Sequence, residues 1–157
     1  GINSPTRGIF AGSNNPTKIN LITFVTISTL GDATDFGNLT AAKGALPGAS
    51  SSTRGLTFGG GDGSNFLNNI DLITIPTLGN ATDFGDLLAI NAESTAASSQ
   101  TRGLCAGGET PTGSSWTNVI QFVTIASTGD ATDFGDLTVG RGNDLGGFSD
   151  VHGGLGD

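Results

Sequence analysis

Nine acidic or amide side chains stand in three groups with one spacing. Asp32, Asp35 and Asn38 are three residues apart, as are Asn80, Asp83 and Asp86, and again Asp130, Asp133 and Asp136. Oxygen donors this close together, in a stretch that carries glycine, are what a calcium ion needs. The best-known calcium loop, however, spaces its ligands by two and ends on a glutamate, and neither feature is present. Asp and Asn also accept hydrogen bonds from the backbone of their own turn. The groups are therefore read first as turn formers. The calcium candidates Asp32, Asp35, Asp83, Asp86, Asp130, Asp133 and Asp136 are held as the second reading, and no metal or cofactor is expected.

Arginine recurs at corresponding places, Arg7, Arg54 and Arg102, with His152 in the fourth. A ring of such residues would suit an anion. The more ordinary role is to tie neighbouring units together by pairing with a carboxylate, that of the recurring Asp35, Asp83 and Asp133 being the obvious one. Trp116 is the one tryptophan. It lies in a polar, variable stretch, and Phe66 holds the matching place one unit earlier. Exposed aromatics on such loops suit sugar or protein recognition, or else fold back over the sheet edge. Asn14, Asn15 and Asn65 complete the ligand-binding candidates.

Other chemistries lack their residues. One Cys and one His, Cys105 and His152, do not make a zinc site or a Cys-His nucleophile, and Cys105 is expected to be buried and inert. There is no Gly-x-Ser-x-Gly elbow and no Walker-type loop. Gly59-Gly60-Gly61-Asp62-Gly63 lacks the helix that a phosphate loop needs after it. A glycan hydrolase would need a convergent carboxylate pair, whereas these acids recur in each unit. The chain is read as non-enzymatic.

What must position these residues is a threefold pattern. Gly31-Asp32-Ala33-Thr34-Asp35-Phe36-Gly37 returns at Gly79–Gly85 and at Gly129–Gly135, spacings of 48 and 50 residues. Each copy follows a β-branched run: Ile22–Ile27, Ile70–Ile75 and Ile120–Ile125. These should be the firmest strands. Before them lie Thr6–Gly12, Thr53–Gly59 and Thr101–Gly107, short apolar runs ended by glycine that read as strand and turn. Between the two, units differ in length at 13–18, 61–67 and 109–117, which marks exposed rim loops. The motif itself reads as a tight turn. A third strand is expected after it, at 39–43, 87–91 and 137–141, and a short fourth in the nine residues that follow.

No window carries the helical period, and 27 of the 157 residues are glycine, more than twice the usual share of about 7%. The net charge is −8 with six Lys and Arg. That excludes a basic nucleic-acid footprint and makes an acidic membrane surface a poor partner. No apolar run approaches the ~18 residues of a spanning helix, so membrane insertion is not expected. The acidity is most simply a solubility device.

Four short strands per unit of roughly 48 residues is the cue for a propeller blade. The expected fold is all-β, a β-propeller of four-stranded blades, with a β-solenoid as the competing arrangement. The chain reads as one array over 1–157, with units at about 6–52, 53–100 and 101–150 and partial units at 1–5 and 151–157. Three blades do not close a ring. Further blades, in the same polypeptide or from other copies, are therefore expected to complete it; a dimer would give six. The sequence contains no methionine, which suggests a processed product or part of a longer chain.

The runs Thr-Arg-Gly-(Ile/Leu)-x-x-Gly, Asn-x-Ile-x-(Phe/Leu)-(Val/Ile)-Thr-Ile and Gly-(Asp/Asn)-Ala-Thr-Asp-Phe-Gly-(Asp/Asn)-Leu together resemble the kelch-like repeats of marine bacteriophage virion proteins. The resemblance covers nearly the whole chain. It departs from the eukaryotic kelch pattern, since the blade tryptophan is absent and Phe36, Phe84 and Phe134 stand near its place. It implies a propeller with a structural or binding role, in a phage tail or fibre. Its partners would be other virion proteins or further copies, and its rim loops would meet a cell-surface glycan or protein receptor. A secreted or cell-surface bacterial binding module is the alternative. The family supplies no catalytic residues.

Overall fold

A computed structural model describes residues 1–14, 16–111, 115–143, 146–147 and 149. The described part is all-β: three four-stranded antiparallel sheets, each a simple up-and-down meander. The first contains β1 (Ile2–Asn3), β2 (Arg7–Ser13), β3 (Ile19–Thr26) and β4 (Thr34–Asn38). The second contains β5 (Gly48–Ser50), β6 (Arg54–Phe58), β7 (Leu67–Thr74) and β8 (Thr82–Asn91). The third contains β9 (Thr95–Ser98), β10 (Arg102–Ala106), β11 (Val119–Thr124) and β12 (Thr132–Asp136).

Hairpin chemistry sets where each sheet begins. Ser4, Ser51 and Ser99 each donate a backbone N–H to the carbonyl of Arg7, Arg54 and Arg102 (2.8–2.9 Å). Each serine Oγ accepts the same arginine's N–H, at 3.0, 3.1 and 3.2 Å. This side-chain turn folds the short strand onto the one after it. The expected fourth strand is therefore the first strand of the next sheet: Gly48–Ser50 pairs with β6 and Thr95–Ser98 with β10. Ile2–Asn3 likewise opens the first sheet rather than closing an earlier unit.

The motif departs furthest from expectation. It is not a turn before a third strand; Thr34–Asn38 and Thr132–Asp136 are themselves the outer strands, and β8 runs through both places. The ladder skips one residue at the same point in every sheet. Ile22 faces Gly37 while Thr23 faces Asp35; Ile70 faces Gly85 while Asp71 faces Asp83; Ile120 faces Gly135 while Gln121 faces Asp133. The skipped residue is the phenylalanine. Such a bulge re-aims a side chain. Here it places Phe36 and Phe84 between sheets, each almost fully buried.

The core lies in the two spaces between sheets. In the first, Ile9, Ile22, Phe36 and Leu39 meet Ile73, Ile75 and Ala81. In the second, Leu56, Ile70, Phe84 and Leu87 meet Val123, Ile125 and Ala131. Each set comes from corresponding positions. Backbones approach closely at the glycines of the seam. A Cβ on Gly37 would sit 2.3 Å from the Gly79 carbonyl oxygen, and one on Gly85 would sit 2.4 Å from that of Gly129.

Candidate functional site

The variable loops form a tied rim at one end of the sheets. In the second sheet, Gly61 exchanges backbone hydrogen bonds with Gly44, which belongs to the segment leaving the first sheet (3.0 and 2.9 Å). In the third, Glu109 exchanges them with Ala92 in the same way (2.7 and 3.3 Å). Asp62 shapes the second loop: its Oδ1 accepts the N–H groups of Ser64 and Asn65, both at 2.7 Å. The Asn65 and Ser64 bonds favour the ionised form and lower its pKa.

Three of the expected binding residues meet here. Asn14, Asn65 and Phe66 line a cavity of about 250 Å3 together with Lys18 and Glu93. The Lys18 ammonium donates to the Asn14 side-chain oxygen. Phe66 is half-buried, with its loop neighbours exposed. Amide, ammonium and carboxylate groups around one aromatic ring suit a polyhydroxylated ring or a polar peptide side chain. The volume is below the ~300–1000 Å3 usual for small-molecule pockets. It has room for a single sugar ring or side chain.

Trp116 is not part of this cavity. It bridges to Glu109, and its ring lies on Gly142, where a Cβ would come within 2.2 Å of it. The indole folds back over the end of its own sheet and stays 40% exposed. Asn15 and His152 lie outside the described residues.

Arg7 and Arg54 tie neighbouring sheets, but to carbonyls instead of carboxylates. Arg7 Nη1 donates to the Ile75 carbonyl (2.6 Å); Arg54 Nη1 donates to those of Ile125 and Ala126 (2.9 and 3.0 Å). A guanidinium has donors to spare and the carbonyls at the end of β7 and β11 point to it, whereas Asp35, Asp83 and Asp133 sit exposed on the outer strands. Arg7 and Arg102 also lie over the rings of Phe24 and Phe122, at 4.8 and 4.9 Å.

The acidic groups have a different use from the turns expected of them. Asn80 Oδ1 accepts the Asn38 N–H and Asp130 Oδ1 accepts the Asp86 N–H, both at 3.0 Å. The first member of the second and third groups thus caps the outer strand of the preceding sheet. Among the described residues no three His, Cys, Asp or Glu side chains gather as a metal site would require.

Two features had no warning in the sequence. Lys43 and Asp71 form a fully buried ion pair between the first two sheets, at 3.2 Å. Asp71 Oδ1 also accepts from Thr40 Oγ1 (2.5 Å) and Asn69 Nδ2 (2.8 Å). Burial pushes the Lys43 pKa down, and Asp71 opposes that shift. In the next seam the corresponding residues are Asn91 and Gln121, and Gln121 Oε1 accepts the Leu88 N–H at 2.8 Å. The second feature is a repeated left-handed backbone at Ala45, Glu93 and Asn143, with φ of 56°, 56° and 50°. All three line a larger cavity of about 480 Å3, beside Gly48 of β5 and Thr95 and Ala96 of β9.

No family model matches the chain, and no curated protein is significantly similar to it.

Proposed function

We propose that the chain is a non-enzymatic binding scaffold, built as part of a β-propeller in a phage tail or fibre, whose rim loops hold a glycan or protein receptor. The observation that carries this reading is a division of labour. Corresponding residues fill both seams between sheets, while the differences in length fall in the rim loops, the first two of which meet at the Asn14–Asn65–Phe66 cavity. Recognition residues belong on variable loops held by a rigid frame.

A curved arrangement of the sheets supports the propeller part. Stacked sheets stand about 10 Å apart, so the first and third members of a straight stack lie about 20 Å from each other. Yet Gly1 of the first, Gly48 of the second and Ala96 of the third line one space. That favours first strands that turn toward a common axis, as propeller blades do, over a straight stack.

The test is a glycan array and a binding assay on candidate host cells, using the intact protein and Phe66→Ala and Asn65→Ala. Each substitution should weaken binding about tenfold or more, which is 1.4 kcal/mol, and leave the melting temperature within a degree or two. Binding unaffected by both substitutions would refute the rim site. Detection at a fixed copy number in purified particles supports the virion assignment; detection on bacterial cells instead would overturn it.

A further inference from the structure

The two outward faces of the described structure are unmatched halves of the seam that it contains twice. In both seams, Gly79 and Gly129 donate their N–H to the carbonyls of Phe36 and Phe84 (2.9 and 2.8 Å). Ala81 and Ala131 donate to those of Asn38 and Asp86 (2.8 Å each). An Asn80 or Asp130 oxygen accepts the N–H of Asn38 or Asp86. Arg7 or Arg54 reaches the carbonyl of Ile75 or Ile125.

Every one of these groups recurs on an open face. The first sheet carries Gly31, Asp32, Ala33 and Ile27, the counterparts of Gly79, Asn80, Ala81 and Ile75. The third carries Phe134, Asp136 and Arg102, the counterparts of Phe84, Asp86 and Arg54. Ile27 is 56% exposed where Ile75 and Ile125 are 1%, and Phe134 is 52% exposed where Phe36 and Phe84 are 3% and 2%. A groove of about 640 Å3 runs over Arg102, Leu104 and Phe134. Gly135 has open space where Gly37 and Gly85 meet the backbone of the next sheet.

We infer that this chain binds a second copy of itself head to tail, the first sheet of one copy covering the third sheet of the other with the same contacts. Ile27 fills the groove over Phe134. The Gly31 and Ala33 N–H groups reach the carbonyls of Phe134 and Asp136, and Asp32 caps the Asp136 N–H. Arg102 takes the Ile27 carbonyl. At the inner corner Ser149 Oγ already accepts the Ser98 N–H (2.9 Å), in the place that Asn3 of a docking copy would take by correspondence with Ser50. One of those two short segments gives way on docking. The contact is heterologous, so it closes a ring or grows a filament. It does not depend on what the rim loops bind.

Mass measurement by light scattering or sedimentation, over micromolar to millimolar protein, tests this. The wild-type mass should rise with concentration. Ile27→Asp and Phe134→Asp each bury an unpaired carboxylate in the contact, so each alone should weaken association by about a hundredfold or more. Mixed one to one they should form a heterodimer and stop there, because each retains the face that the other lacks. Leu88→Asp, on an exposed outer-strand position, should associate like wild type. If either acidic variant loses its β-sheet spectrum, Ile27→Ser and Phe134→Ser replace the pair in the same mixing test. A wild type that stays monomeric throughout, or a mixture that stays monomeric, overturns the inference.

Discussion

Replacing Asp71 with asparagine should be among the most damaging single changes to stability. The side chain keeps its shape, and an amide oxygen still accepts from Thr40. What goes is the countercharge 3.2 Å from the Lys43 ammonium, in a place where both side chains are 0% exposed. At an effective dielectric near 20 the attraction lost is about 5 kcal/mol. Breaking a buried pair from one side typically costs about 3–5 kcal/mol, because a charge remains in the interior without compensation. For a chain of this length each kcal/mol moves the melting temperature by about 2–4 °C, so Asp71→Asn should melt about 10 °C lower. Lys43→Met should also be costly, since it leaves the carboxylate with only Thr40 and Asn69. Lys43→Met with Asp71→Asn removes both charges and should recover most of the loss, giving a coupling of about 2 kcal/mol or more in a double-mutant cycle. Urea and thermal unfolding of the four proteins measure this. An Asp71→Asn variant within about 1 kcal/mol of wild type would refute the buried pair.

Glycine at the seam makes a graded prediction. Gly37→Ala and Gly85→Ala each drive a Cβ into a backbone carbonyl, whereas Gly135→Ala meets nothing; all three share an unfavourable positive φ (138–148°). The first two should cost about 2 kcal/mol more than the third in urea unfolding of the monomer. Cys105 gives a pH effect. Burial raises its pKa from 9.0 to about 11, so the folded state holds a proton that the unfolded state releases. Its contribution is complete below pH 9 and falls by about 1.4 kcal/mol per unit up to about pH 11. Stability differences between wild type and Cys105→Ala across that range should show the slope, and the native thiol should resist a thiol reagent at pH 8. Ala45→Gly relieves a left-handed backbone at φ 56°. It should raise stability by a few tenths of a kcal/mol up to about 1 kcal/mol.

The three units and the firmest strand of each were legible because β-branched runs such as Ile22–Ile27 have one natural use. The motif misled because Asp, Asn and Gly are the residues of turns. In Asp35-Phe36-Gly37 they instead make room for a bulge, and the glycine is set by a neighbouring sheet's carbonyl that no local pattern reports. The arginines were readable as ties between units, but a donor does not reveal its acceptor, and a backbone carbonyl leaves no mark in the sequence. Lys43 and Asp71 were illegible because their counterparts Asn91 and Gln121 solve the same packing problem with neutral groups. Of the rim residues, Asn14, Asn65 and Phe66 line one cavity, and which loops would meet there is not written in their own sequence. Trp116 was drawn away by the bare backbone at Gly142.

The outer strands β4 and β8 each have an outward edge, and the next unit consumes it: Gly79 and Ala81 occupy the carbonyls of β4, and Gly129 and Ala131 those of β8. A bare strand edge is where unrelated chains add on and fibrils start. At β4 and β8 the molecule therefore silences that hazard through its own connectivity, without lysines or prolines posted as guards, while β12 is left to whatever covers the third sheet.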